Sequence, residues 1–238
     1  MKSGTLAAIA CAISVSGSVC VAGDGYSGVR QESSRGGSIQ IGDGDPVVRN
    51  RASQDGGGGS GNFGFGPIGA AFRSVNTFFG FNAPNTISGD FSSSVSVLED
   101  SSERVDASAY GYAESWFTVT EDVMMSLTGQ GGTSSTWGDD TFHGAAVLVT
   151  LRRNATNLFR FELGADNRGV ESFSRDQVLG QGNYFITVDV ISSVSGESIV
   201  AGEATAFADF ELVLTPVPSP GSLAILPLAG LLTMRRRR

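Results

Sequence analysis

The one histidine of the chain, His143 in the stretch DDTFHGAA, is the only side chain whose unperturbed charge change falls near neutral pH. An acyl-transfer site would use it as general base, with Asp139 or Asp140 to orient the ring and one of the many serines as nucleophile. Such a nucleophile sits on a strained turn, and the sequence holds no Gly-x-Ser-x-Gly elbow. His143 is therefore read as a turn or surface residue at a strand start. Glycoside hydrolysis needs two carboxyl groups at a set separation. Glu99, Glu103, Glu114, Glu162 and Glu171 are the candidates, and no spacing among them singles out a pair. A solvated acidic surface accounts for them all. The sequence reads as that of a non-enzyme, with no catalytic residues, no metal and no cofactor.

Binding chemistry has more to draw on. Asp43 with Asp45 in GDGDP, and Asp139 with Asp140 in WGDD, carry oxygen donors that suit calcium. An EF-hand loop needs further ligands and a distal Glu, which neither stretch has, so both read as turns. Aromatic rings offer flat faces that pack on the apolar faces of sugars. Tyr110, Tyr112, Trp116 and Trp137 are the candidates. Trp137 stands in the polar, Gly-rich GQGGTSSTWGDD, so Trp137, Asp139 and Asp140 form the candidate sugar contact. Trp116 lies inside a strand pattern and is expected to pack against a sheet. The sequon Asn154-Ala155-Thr156 is read as chance.

The elements that must position these residues are strands. From about Pro84 to Thr215, apolar residues alternate with polar ones, and β-branched and aromatic types dominate. FSSSVSVLE, ASAYGYAESWFTVTE, DVMMSLTG, LFRFEL, GNYFITVDVIS and ATAFADFELVLT all carry this period, and AAVLVTLR reads as a more fully buried strand. No helix of ordinary length fits between them. Seven to nine strands separated by Gly, Asn, Asp and Ser turns predict an all-β domain, an antiparallel β-sandwich of jelly-roll-like type, over 84–215. The stretch 23–83 reads as a Gly-rich, low-complexity linker, largely disordered, because glycine adds backbone entropy and few large apolar residues offset it. Phe72 to Phe81 are expected to dock partially on the domain.

Charge is distributed unevenly. Lys2 is the only lysine, and four of the remaining basic residues are Arg235 to Arg238. Without these five, 11 arginines face 24 acidic residues, a formal charge of −13. That disfavours nucleic acid and anionic surfaces as partners. Met1 to Ala22 has Lys2, the apolar run Leu6 to Ile13, and small residues at Cys20 and Ala22 before Gly23. This is the pattern of a secretory signal peptide, a short helix over 1–22 cleaved between Ala22 and Gly23 by signal peptidase. Both cysteines, Cys11 and Cys20, lie inside it, so the exported body has no disulfide and relies on burial.

The other end reads VPSPGSLAILPLAGLLTMRRRR. Prolines close the last strand, because proline donates no ladder hydrogen bond. Leu223 to Met234 is a mostly apolar run of twelve residues interrupted by Pro227 and Gly230. As a helix it rises only ~18 Å, against a hydrocarbon core of about 30 Å. It suits a brief stop in a membrane, with Arg235, Arg236, Arg237 and Arg238 kept on the cytoplasmic side.

This order of elements closely resembles the PEP-CTERM protein-sorting signal of exported bacterial proteins. Val217, Pro218 and Pro220 match its Val-Pro-Glu-Pro-like motif, followed by Gly221-Ser222-Leu223-Ala224, the apolar run and the arginine cluster. Ser219 departs from the motif, standing where Glu is usual. The resemblance covers 216–238, roughly a tenth of the chain. It implies a Gram-negative-type bacterium with an exosortase, a membrane-embedded cysteine protease-transpeptidase that cuts near the proline motif. The tail would pause in the inner membrane, and the body would pass to the cell surface or extracellular matrix. The expected function is that of a non-enzymatic surface or matrix protein contributing to extracellular polymer or biofilm. The alternative is a carbohydrate-binding module that contacts extracellular polysaccharide through Trp137. An extracellular hydrolase ranks third.

Overall fold

The computed structural model describes residues 26–53, 63–65, 70–72, 76–82, 86–137, 142–164, 168–197 and 199–217. Among the described residues there is no helix, and thirteen strands form two antiparallel sheets. In chain order the first five are β1 (Tyr26–Ile41), β2 (Val47–Ser53), β3 (Phe63–Phe65), β4 (Ala70–Phe72) and β5 (Asn76–Asn82). Then come β6 (Thr86–Val97), β7 (Val105–Val119), β8 (Val123–Ser135) and β9 (Phe142–Arg153). The last four are β10 (Thr156–Leu163), β11 (Gly169–Leu179), β12 (Gly182–Gly196) and β13 (Gly202–Pro216). The six-stranded sheet has the order β10-β9-β12-β7-β1-β2. The seven-stranded sheet has the order β11-β8-β13-β6-β4-β3, with β5 also paired to β6. From β6 onward the chain crosses between sheets at nearly every turn, and only β9 and β10 form a hairpin within one sheet.

Period-two alternation explains these strands. In β7, Val105, Ala107, Ala109, Ala113, Phe117 and Val119 are buried, and the alternate residues from Asp106 to Thr118 are partly exposed. β12 buries Tyr184, Ile186, Val188, Val190 and Val194 in the same way. From the opposite sheet, Ile87 and Phe91 of β6, Met125 and Leu127 of β8, and Phe210 and Leu212 of β13 meet them. Each such large side chain contributes roughly 1.5–3 kcal/mol by leaving water.

A polar seam divides this core. Ser192 of β12 donates its hydroxyl to the Ser93 carbonyl of β6 at 3.0 Å, and the two hydroxyls lie 2.9 Å apart. Both are buried, with Phe91 and Val190 on one side and Val95 and Val194 on the other. Beyond the seam a smaller cluster gathers Ile39, Val97, Val105, Trp137, Ile199 and Ala204.

The sequence expectation of a largely disordered linker over 23–83 is corrected by β1 and β2. β1 runs along β7 from Tyr26 opposite Val119 to Ile41 opposite Val105, with a bulge between Ser27 and Arg30. Ile39 is fully buried, and Glu32 and Ser33 are nearly so. The folded body therefore begins well before residue 84. Ladder hydrogen bonds come from the backbone, so a Gly- and Ser-rich strand is recruited once a long partner edge is present. β8 tells a similar story. It continues through Gly129, Gly131 and Gly132, beyond the DVMMSLTG run that carries the alternation. Aromatic rings fill the space that Cβ atoms would take: a Cβ on Gly131 would stand 2.7 Å from Phe161. Phe173 and Phe207 press on Gly129 and Gly132 likewise.

Candidate functional site

Several of the sequence candidates lie apart or are occupied structurally. Glu99 and Glu103 are exposed between β6 and β7, Glu162 pairs with Arg160 on β10 at 2.6 Å, and Glu171 is exposed on β11. His143 is placed within β9, opposite Val194 of β12, rather than in a turn. Asp43 and Asp45 are exposed in the β1–β2 turn, where Gly42 takes a φ of 58° and donates to the Arg104 carbonyl at 2.7 Å. Asn154 of the sequon is the left-handed residue of the β9–β10 turn, with a φ of 54°. Among the described residues no three His, Cys, Asp or Glu side chains are grouped to hold a metal ion.

Some expectations fall on other parts of the chain. Asp139, Asp140 and the cleavage pair Ala22 and Gly23 lie outside the described residues. Of the sorting motif, Val217 is described and exposed. Pro218, Ser219 and Pro220 lie outside the described residues, as do the apolar run and Arg235, Arg236, Arg237 and Arg238. The departure of Ser219 from the usual Glu is thus a feature of the sequence alone.

Trp137 is corrected outright as a sugar contact. It is 1% exposed, and its indole N–H donates to the Val200 carbonyl at 2.8 Å. Gly202 lies directly beneath the ring, with no room for a Cβ. The polar, Gly-rich setting suggested an exposed ring. In the fold the glycines let strands approach it, so the indole closes the end of the smaller core cluster.

The residues brought together are on the outer face of the six-stranded sheet. Because the odd residues of β7 enter the core, Tyr110, Tyr112, Glu114 and Trp116 all project outward. Register aligns them in rows across neighbouring strands. Trp116 lies opposite Phe185 of β12, which lies opposite Arg152 of β9. In the next row Glu32 of β1 lies opposite Glu114, followed by Thr187 and Thr150. Tyr112 lies opposite Asp189, and Tyr110 opposite Ile191.

The face is tightly interconnected. Tyr112 donates its hydroxyl to Glu114 Oε2 at 2.5 Å. Burial, reinforced by Glu114, pushes that hydroxyl up, so it stays neutral. The Thr150 and Thr187 hydroxyls lie 2.6 Å apart. The Arg152 guanidinium stands 5.8 Å from the Phe185 ring centroid, and its Nε is buried without a hydrogen-bond partner among the described residues. Burial and the nearby Glu114 charge push the Asp189 carboxyl up to about 6, with Arg152 opposing them, and no hydrogen bond among the described residues steadies it. On the outer face of the other sheet, Gln130 bonds Asp209 at 2.8 Å, Ser134 meets Thr205 at 2.7 Å, and Phe207 of β13 is partly exposed.

Sequence alternation already placed Tyr110, Tyr112, Glu114 and Trp116 on one face. Asp189 was legible only as the polar member of ITVDV. Glu32 was missed, because nothing in the composition of 23–83 marks a strand. No family model matches the chain, and no curated protein matches it. The class that the fold defines is therefore an all-β protein of two antiparallel sheets with one aromatic, acidic outer face.

Proposed function

We infer that this is an exported, non-enzymatic protein of the bacterial cell surface or extracellular matrix, sorted through a PEP-CTERM-like tail and contributing to extracellular polymer. The observation that carries the reading is the junction at the end of β13. The strand stops at Pro216, and Val217, the first residue of the motif, is 40% exposed, with its N–H donating to the Asp122 carbonyl at 3.2 Å. A processing enzyme needs such an accessible start to its recognition segment. Signal peptidase and an exosortase-type enzyme are the partners this reading requires, with the inner membrane a transient one.

The body is assigned as a jelly-roll β-sandwich, flanked by a signal helix and a short apolar C-terminal helix. The orders β6-β13-β8-β11 and β7-β12-β9-β10 support it, because two interleaved Greek keys produce that alternation between sheets. A second reading, as a carbohydrate-binding module, loses Trp137 but is favoured by the aromatic outer face of the six-stranded sheet.

Intact-mass measurement on fractionated cells tests the sorting reading. The expected surface form begins at Gly23 and ends near the proline motif. A surface form still ending in Arg238 overturns it.

A further inference from the structure

We propose that two copies of this chain join through β11, edge to edge and antiparallel, so that their seven-stranded sheets merge into one continuous sheet. β11 is the outermost strand of its sheet. One edge pairs with β8 without a bulge from Gly169 to Leu179, and no strand among the described residues takes the other. Eight of its eleven residues are exposed. Proteins blunt such edges by shortness, bulges, proline or lysine. The other outer strands follow that rule: β3 has three residues, β2 has seven, and the ladder of β10 on β9 carries a bulge. β11 has none of these features. An unpaired, regular edge fits another strand of matching length and chemistry.

The strand that matches it best is its own copy. Laid antiparallel on itself over its whole length, β11 turns about a two-fold axis at Ser174. Val170 then stands opposite Val178 of the second copy, twice. These are the exposed large apolar residues of the strand, at 60% and 48%. Both project from the outer face, because the odd residues Arg175, Gln177 and Leu179 pair with the inward Leu127, Met125 and Val123. The row continues on each side. Val170 lies across Gly132 from Phe207, and Val178 lies opposite Met124, which is 42% exposed. Joining two copies therefore lines up Phe207 and Val170 of one with Val178 and Met124 of the other. Charges agree with this register: Glu171 meets Gln177, Arg175 meets Phe173, and Asp176 meets Ser172, so no like charges oppose. Moving the axis to Arg175 sets that residue against itself. Moving it to Phe173 gains pairs of Glu171 with Arg175, which are worth little at an exposed edge, and sets Val170 against Asp176.

The test is sedimentation of the full-length chain between about 1 and 100 μM, the range of weak specific association. A reversible rise from the mass of one chain to that of two is expected. Two double variants then test the register. Val170→Lys with Val178→Lys sets like charges opposite each other and is expected to weaken association at least about tenfold. Val170→Lys with Val178→Glu sets opposite charges there and is expected to keep the dimer. Within one copy the two positions are about 26 Å apart, so only pairing between copies separates the variants. Both valines are exposed, so far-UV circular dichroism of the variants is expected to match that of the parent chain. The mass of one chain throughout overturns the proposal and leaves the edge to a strand of another protein. Association that survives in the Lys/Lys variant also overturns it, because it runs through another surface. So does equal loss in both variants, which would deny that Val170 meets Val178. None of these outcomes depends on where the protein resides, so the sorting reading stands or falls separately.

Discussion

Asp189 shows how one side chain departs from its ordinary behaviour because of its neighbours. Its carboxyl, normally near 3.8, is pushed up to about 6 chiefly by burial. The folded state therefore holds the proton more tightly than the unfolded chain. Below the unfolded value both states are protonated and nothing is lost. Between about pH 4 and 6 the unfolded chain ionises first, and stability falls by about 2 kcal/mol after allowance for partial solvent screening. Asp189→Asn is expected to raise the thermal midpoint above about pH 7 and to leave it unchanged below about pH 4. An unchanged midpoint at neutral pH would show that the carboxylate is well solvated.

Trp137 makes the opposite point at the same scale, since its context hid a structural role. Trp137→Ala is expected to destabilise by about 3–5 kcal/mol in urea unfolding. Trp137→Phe keeps the ring but leaves the Val200 carbonyl unpaired, at a cost of about 1–3 kcal/mol. A surface tryptophan would lose almost nothing in either variant.

Among the elements, β1 carries the most information. It covers one whole edge of β7, from Val119 back to Val105. Hydrogen–deuterium exchange is expected to protect its amides to a degree comparable with those of β7, and Ile39→Ala is expected to cost about 2–5 kcal/mol. Rapid exchange throughout Tyr26–Ile41 would restore the linker reading. The seam between β6 and β12 invites a double-mutant cycle. Ser192→Ala strands the buried Ser93 hydroxyl and is expected to cost about 1–3 kcal/mol, with a smaller added cost from the second Ser93→Ala change. Strands β7, β12 and β13 were legible because their period of two is unbroken by glycine on the core side for most of their length. β1 and the far half of β8 were not, since pairing and ring packing across strands substitute there for side-chain propensity.

For the molecule as a whole, register places the two ends of the described body together. Tyr26 enters opposite Val119, and Pro216 leaves opposite Val123, beside the turns at Glu121–Asp122, Asn154–Ala155 and Gly180–Gln181. On the sorting reading, this end faces the bilayer while the tail pauses there, and the turns around Asp43, Glu99, Asp100 and Glu197 face away. The folded body has no cysteine, because Cys11 and Cys20 both precede it. Its unfolding midpoint is therefore expected to be the same with and without a thiol reductant, measured by fluorescence. A drop on reduction would mean that cysteines outside the body link copies of the chain.

The sequence by itself determined the all-β class, the antiparallel alternation of β7, β12 and β13, the acidic body and the order of elements in the tail, Ser219 included. These follow from local period and composition, which read directly along the chain. Only the tertiary structure decided that Tyr26–Ile41 is a strand, that Trp137 is core, and that Glu32 and Asp189 belong with Tyr112 and Glu114. Each of those depends on contacts between residues far apart in sequence. A residue's exposure is set by what packs over it, and no local pattern records that.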